Sequence, residues 1–198
     1  MTTTNDTARD QALAQLESVR ALVAALECDY DQLEHLRDER AMLDDELDQA
    51  AECVKYHHDG ELNEAGTDPE HDEFRRCRDE LAAWDQENAE ELAELIEAAG
   101  DCTDREEAEQ RIHEDALSVE VRTDWYAPHN DGQGPAEFRI VLCTGGPHVE
   151  IRGELQDGEP TRAWLAYCGW GESMQDLCAP GAEDVLLAYA GAFYFGDC

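Results

Sequence analysis

The apolar residues in the first third of the chain recur with a helical period. They form one stripe whose later spacings alternate between three and four residues. Neither proline nor glycine occurs before Gly60, so the pattern predicts one uninterrupted helix from Leu16 to His57, ~60 Å long at ~1.5 Å per residue. Arg40 falls on the stripe and interrupts its apolar seam. The stripe consists of Leu22, Leu26, Leu33, Leu36, Leu43, Leu47, Ala50 and Val54.

A second helix is predicted to begin at Pro69, with Asp68 as its N-cap, and to end at Gly100. Its apolar stripe consists of Phe74, Cys77, Leu81, Trp84, Asn88, Leu92 and Leu95. Thr103 and Glu106 have the spacing of a capping box, which predicts a short third helix through about Ala116. Two long amphipathic helices joined by a glycine-containing turn form an antiparallel hairpin, because neither can bury its stripe alone.

After Leu117 the pattern changes to period two. Four segments alternate apolar and polar residues between turn sequences, which predicts an antiparallel meander of four strands. They are SVEVRTDW, EFRIVLCT, HVEIRGEL and TRAWLAYC. AEDVLLAYAGAFYF then returns to helical spacing and can cover one sheet face. The predicted fold class is α+β: a long antiparallel, coiled-coil-like helical hairpin followed by a small ββββα antiparallel-sheet module.

Charge adds a boundary to this pattern. The chain has 49 Asp and Glu against 14 Lys and Arg, a formal net charge of −35. Residues 118–198 hold 13 acids and 4 arginines, a net charge of −9, which leaves −26 for the rest. We therefore expect an acidic helical domain over 1–117 and a ββββα domain over 118–198. Like charges repel, so we expect no direct binding to nucleic acid or anionic membrane and favour a basic protein partner.

Sequence motifs give no sign of catalysis. The TGGP turn lacks the Lys-Ser/Thr of a phosphate-binding loop, and His129 and His148 have no nucleophile at motif spacing. We therefore expect a protein that is not an enzyme and that needs no cofactor and no metal. No apolar run approaches the ~18 residues of a membrane span. The polar start, MTTTNDTARDQ, is unlike a secretory signal, so we expect a cytoplasmic protein.

The C-terminal module resembles uncharacterised bacteriophage and prophage proteins. The matching pieces are DALSVEVRTDWYAP, EFRIVLCTGGPHVEIRGEL and AEDVLLAYAGAFYFG, which lie within about residues 115–196. The TGGP turn and the FYFG end are the most specific of them. The chain departs from the pattern at YCGWGESMQ, where relatives carry a QDWGTPW-like segment. The resemblance implies a phage origin and a small accessory role, but no activity, and it does not include the N-terminal hairpin.

Four cysteines in the helical half are spaced symmetrically. If the hairpin folds about Ala65, Cys53 meets Cys77 and Cys28 meets Cys102. This layout fits two interhelical disulfides, although such bonds are rare in the cytosol. One alternative is a zinc site formed by Cys53, His57, His71 and Cys77. The other is that these cysteines are small apolar residues and that residues 53–77 form a plain acidic turn.

The acidic residues of the hairpin are the first candidate binding surface. Residues 17–52 and 70–97, the two long helices of the predicted hairpin, carry net charges of −9 and −8. Side by side they form an acidic rod whose charge density approaches that of one nucleic-acid strand. The candidate residues are Asp38, Glu39, Asp44, Asp45, Glu46, Asp48, Asp79, Glu80, Asp85 and Glu87. Two alternatives explain the acidity without a partner: an ordinary solvated helix face, or adaptation to high salt.

An arginine row on the sheet is the second candidate surface. Strand parity puts Val119, Val121, Phe138, Ile140, Leu142, Val149, Ile151, Leu165 and Tyr167 on the covered face. The opposite face then presents Arg122, Arg139, Arg152 and Arg162, with Trp164 beside them. This row is either a contact face for a partner or second subunit, or it pairs with glutamates. The candidate glutamates are Glu120, Glu137, Glu150 and Glu154.

These observations lead to two hypotheses from different functional classes. The first is a phage-encoded inhibitor that mimics nucleic acid and blocks a basic nucleic-acid-binding defence protein of the bacterial host, of the restriction or CRISPR type. Under this first hypothesis, the C-terminal module either docks or forms a homodimer. The second is a structural or adaptor protein that oligomerises through its coiled-coil hairpin, with charge serving only solubility.

Overall fold

The computed structural model describes residues 4–57, 69–123 and 134–196. It confirms the α+β fold class. The helices are α1 (Thr4–Glu27), α2 (Tyr30–His57), α3 (Pro69–Ala99), α4 (Arg105–Asp115) and α5 (Ala182–Ala190). The strands are β1 (Ser118–Arg122), β2 (Glu137–Cys143), β3 (His148–Gln156), β4 (Glu159–Cys168) and β5 (Gln175–Leu177). In the described part of the chain, no helix is long and apolar enough to cross a membrane.

The chain divides into two compact units whose bounds differ from the predicted domains. Unit 1 consists of Met1–Glu27 with Asp101–Cys198, and unit 2 is Cys28–Gly100. The predicted boundary at residue 117 is therefore displaced, and α1 and α4 belong with the sheet. The physical reason is packing: the buried stripe of α1 joins the core of the sheet. The charge boundary instead reflected the acidity of the hairpin. The α1 stripe is Ala8, Ala12, Leu16, Val19, Val23 and Leu26.

Unit 1 is built on an antiparallel sheet in the order β1-β2-β3-β4-β5. The four predicted strands are confirmed, and β5 extends the meander by one short strand. Strand parity is also confirmed, since Ile140 lies opposite Ile151 and Ile151 opposite Leu165 on the buried face. Helices α1 and α5 pack on this face over β3 and β4. Val119 and Val121 share the face but stay 38% and 46% exposed, contrary to the prediction that they are covered.

The predicted helix from Leu16 to His57 is interrupted at Cys28 and Asp29. Asp29 acts as an N-cap, because its Oδ1 accepts from the Gln32 N–H at 3.0 Å and its carbonyl oxygen accepts from the Leu33 N–H at 3.0 Å. An N-cap residue is non-helical and starts a new helix. The continuous stripe concealed this break because both helices are amphipathic.

Unit 2 is an antiparallel hairpin of α2 and α3. Its partners across the seam include Gln32 with Glu91 and Arg40 with Asp85. The midpoint of the two sequence positions in each pair is about 62, whereas the predicted hairpin folded about Ala65. Moving the centre of the hairpin by three positions changes which residues face each other across the seam. A residue of α2 then faces a position of α3 about six residues away from the predicted one, which is ~9 Å along the helix axis. Pro69 opens α3 as predicted, whereas its predicted cap, Asp68, lies outside the described residues.

Both ends of the segment between α3 and α4 have defined caps. Gly100 follows α3 with a φ of +56°, the left-handed conformation that suits glycine, and its N–H donates to the Ile96 carbonyl at 3.1 Å. Asp104 is the N-cap of α4 and accepts from the Glu107 N–H at 2.8 Å. The capping pair therefore lies one residue beyond the predicted Thr103 and Glu106.

Candidate functional site

The hairpin concentrates the negative charge of the chain. Unit 2 has 25 acids and 6 bases in 73 residues, a net charge of −19. Unit 1 has 24 acids and 8 bases in 125 residues, a net charge of −16. The charge per residue of the hairpin is thus about twice that of unit 1, which makes the hairpin the candidate acidic surface.

Two of the ten predicted acidic residues hold the hairpin together. Glu39 accepts from the Trp84 Nε1–H at 3.1 Å, and Asp85 accepts from Arg40 Nε at 2.7 Å. Both carboxylates are half-buried, whereas the other eight predicted acids are exposed. Arg40, which was predicted to interrupt the apolar seam, therefore crosses it as an ion pair with Asp85. Glu39 and Asp85 serve the fold rather than an open surface.

Most basic residues of the hairpin are already paired with nearby carboxylates. Arg76 donates to Glu73 at 2.6 Å and to Glu80 at 2.8 Å. The hydrogen bond from Arg76 lowers the pKa of the Glu73 carboxyl, so this group stays ionised to lower pH. The ion-paired bases are Arg40, Lys55, Arg75, Arg76 and Arg78. These pairs leave the remaining carboxylates of the hairpin without local compensation.

The uncompensated carboxylates form two rows, which we call the outer rows. Their helical spacing puts each row on the side of its helix that faces away from the seam. The row on α2 consists of Asp31, Glu34, Asp38, Asp45 and Asp48, and the row on α3 of Glu87, Glu90, Glu94 and Glu97. All nine are exposed, and none makes an ion pair with another residue that the structure describes. Carboxylates recur every ~5 Å along the α3 row, and the α2 row has the same spacing except for a gap of ~10 Å between Asp38 and Asp45. The rod therefore carries acid along two opposite edges.

The apolar seam between α2 and α3 is only half-buried along its middle. Between Leu36 and Ala50 on α2, no residue is fully buried. The fully buried cluster lies near the turn and consists of Ala50, Val54, Phe74 and Cys77. The half-buried seam residues are Leu43, Leu47, Leu81, Trp84, Leu92 and Leu95. A two-helix hairpin leaves both sides of its seam open, so packing alone holds the middle of this rod weakly.

The structure does not contain the predicted disulfides. Cys28, Cys53, Cys77 and Cys102 are all free thiols. The displaced register explains why Cys53 and Cys77 form no disulfide. It offsets them by ~9 Å along the helix axis, which exceeds the ~7 Å limit of Cα separation for a disulfide. Cys28 donates instead to the Leu95 carbonyl at 3.6 Å, and Cys102 belongs to the other unit. Cys53 is exposed, whereas Cys77 is buried, and desolvation raises the pKa of the Cys77 thiol.

The zinc alternative gains no support from the described residues. Among them, no group of three or more His, Cys, Asp or Glu side chains is arranged to hold a metal ion. The His57 side chain lies outside the described part. Cys53 and Cys77 instead line one groove of about 480 Å³, between the start of α3 and the last turns of α2.

The arginine row on the sheet is paired with all four candidate glutamates, as the second interpretation of the row predicted. Arg122 donates to Glu137 at 2.7 and 2.9 Å, and Arg162 donates to Glu154 at 3.1 Å. The other two pairs are Arg139 with Glu120 and Arg152 with Glu150. Register explains three of these pairs, because the partners are directly opposite in the ladders. Trp164 lies opposite Arg152 and is half-buried.

Sequence reasoning missed the burial of Glu150. Its exposed fraction is 0% although parity places it on the supposedly open face. Its Oε2 lies 2.7 Å from His148 Nε2, its Oε1 accepts from Arg152 Nε, and Arg139 lies 3.9 Å away. The signal in the sequence is HVEIR, which places a basic side chain two residues before and two after Glu150 on the same face. This cluster neutralises a buried carboxylate and thereby joins β2 and β3.

A second buried polar group fastens α5 to α4 inside unit 1. The Tyr189 hydroxyl donates to Asp115 Oδ2 at 2.8 Å, and the ring is fully buried. Desolvation, followed by the nearby Asp115 carboxylate, raises the pKa of Tyr189. The hydroxyl therefore stays protonated and acts as a structural donor.

Comparison with known proteins returns no match: no family model, no curated protein and no solved structure matches this chain.

Proposed function

We propose that the protein is a phage-encoded inhibitor that presents an acidic rod in place of nucleic acid and thereby blocks a basic nucleic-acid-binding defence protein in the bacterial cytoplasm. The observation that carries this proposal is the pair of outer rows, whose carboxylates are exposed and uncompensated. The inhibitor needs no catalytic step and no cofactor, because occupying the channel is sufficient.

The charge density of the rod supports this proposal. Helix α2 has 9 acids and 3 bases, and α3 has 11 acids and 3 bases, a combined net charge of −14. Along the ~46 Å of α3 this corresponds to one net charge per ~3 Å. One strand of B-form DNA carries one phosphate per ~3.4 Å of axis. A protein channel that binds a phosphate backbone can therefore bind this rod through the same lysines and arginines.

Neutralising six carboxylates of the outer rows tests the proposal. The substitutions are Asp38→Asn, Asp45→Asn, Asp48→Asn, Glu87→Gln, Glu90→Gln and Glu94→Gln. We expect the wild-type protein to inhibit DNA cleavage by at least one member of a panel of purified restriction endonucleases and CRISPR effector complexes. The variant should inhibit the same enzyme at least tenfold less well, a loss of about 1.4 kcal/mol.

A matched control separates local charge from total charge. Six exposed acids of unit 1 are neutralised in the same way, so both variants lose the same charge: Glu17, Glu27, Glu106, Glu159, Glu172 and Asp176. We expect this control to inhibit like the wild type. Equal inhibition by both variants would mean that the outer rows are not the binding surface. Circular dichroism on each variant verifies that the fold is retained.

An adaptor that oligomerises through its hairpin is the second candidate, and the half-buried seam favours it. Leu43, Leu81 and Trp84 would become fully buried if two hairpins formed a four-helix bundle. Assembly of this kind depends on apolar contact, so the six-acid variant of the outer rows should assemble at least as well as the wild type. Binding by mimicry should instead be lost in that variant.

A further inference from the structure

Strand β1 forms an apolar edge of the sheet. Among the described strands it pairs with β2 on one side only. Leu117, Val119 and Val121 alternate along one face of this segment and are 59%, 38% and 46% exposed. Their face is the core face, since Val119 lies opposite the buried Ile140 in the β1–β2 ladder. The apolar layer of the sheet therefore continues to an edge where it meets solvent, which is a template for further strand pairing.

The charges at this edge are balanced, in contrast to those of the rest of the chain. On the opposite face, Glu120 lies across from Arg139 and Arg122 across from Glu137. These two acids and two arginines cancel, whereas the whole chain carries −35. A second acidic copy would therefore meet little repulsion from the side chains of this strip.

We propose that two copies of this chain associate through β1, each β1 pairing antiparallel with the other about a two-fold axis at Val121. The two five-stranded sheets then become one continuous sheet, and the interface is the same patch on both copies. The proposal does not rest on the proposed function, because it uses residues of unit 1 only.

The position of the axis follows from charge complementarity along the strand. Side chains directly opposite in an antiparallel pair point to the same face, so the axis must pass through a residue. An axis at Val121 sets Glu120 opposite the partner's Arg122, twice, and sets the two Val121 side chains together. An axis at Glu120 would instead oppose two like carboxylates, which is unfavourable. The sequence VEVR is thus self-complementary about its second valine.

The experiment places charges at the axis. Val121→Lys and Val121→Glu each set two like charges face to face, so each variant alone should lose self-association. An equimolar mixture of the two variants sets opposite charges face to face and should recover the dimer. Sedimentation velocity of the wild type, of each variant and of the mixture measures this. We expect the wild type to dimerise in a concentration-dependent manner.

Ile96→Lys is the matched control, because Ile96 is 43% exposed and lies on the hairpin. It should dimerise like the wild type, and circular dichroism verifies that each variant is folded. A wild type that stays monomeric at every concentration overturns the proposal. It is equally overturned if either Val121 variant still dimerises alone, or if the folded variants fail to associate when mixed.

Discussion

The carboxylate of Glu150 is fully buried between His148 and Arg152, which makes it a test of how much one buried charge contributes to stability. Hydrogen bonds to a charged group contribute more to stability than neutral ones, and Gln keeps the shape of this side chain but removes its charge. We therefore expect Glu150→Gln to lower the free energy of unfolding by about 1–3 kcal/mol. Glu154→Gln removes the partner of the exposed Arg162, so it should lower that free energy by less than about 1 kcal/mol. Urea denaturation of both variants measures the difference, and equal losses would contradict a structural role for the buried cluster.

Helix α1 is required for the fold of unit 1, because its apolar stripe completes the core of the sheet. A fragment of residues 101–198 lacks this stripe, so we expect it to show no cooperative thermal transition. Residues 1–27 joined to 101–198 by a short Gly-Ser linker should unfold cooperatively, because the whole core of unit 1 is present. The linker spans a short gap, since Glu27 and Arg105 line the same cavity. Thermal melts followed by circular dichroism test both proteins, and a cooperative transition in the shorter fragment would mean that α1 is dispensable.

The net charge of −35 favours association with a basic target and opposes association of two copies of this chain. Added salt screens attraction between the outer rows and a basic target, so inhibition should weaken as ionic strength rises from ~0.05 to ~0.5 M. The same salt screens repulsion between two acidic copies, so dimerisation through β1 should strengthen over that range. Inhibition assays and sedimentation velocity at matched salt concentrations measure the two trends. If inhibition and dimerisation instead change in the same direction with salt, the outer rows and β1 do not have these separate functions. The six-acid variant of the outer rows should dimerise more readily than the wild type at low salt, because it carries less negative charge.

The local structure and the charge distribution of this protein could be predicted from its sequence. Period two in residues 118–168 specified the strands and the side on which each residue lies, because alternation follows directly from strand geometry. The same alternation identified the glutamates that pair with the arginine row. Helical period likewise specified most of α2, α3 and α5, and together with the charge count it identified these two long helices as acidic, although the domain boundary drawn from charge was displaced. Each of these features depends on residues close together in the chain.

The packing partners of the elements and the burial of particular side chains depend on contacts between residues far apart in the sequence. The apolar stripe of α1 could pack equally well in a helical hairpin or on a sheet. The unit to which α1 belongs therefore depends on the apolar face that the stripe contacts, which is the sheet. The hairpin register, which separates Cys53 from Cys77, follows from seam partners such as Arg40 and Asp85, far apart in sequence. Burial of Glu150 likewise depends on residues of neighbouring strands. Periodicity specifies the face of an element, whereas its partner is fixed by long-range complementarity that a local pattern does not encode.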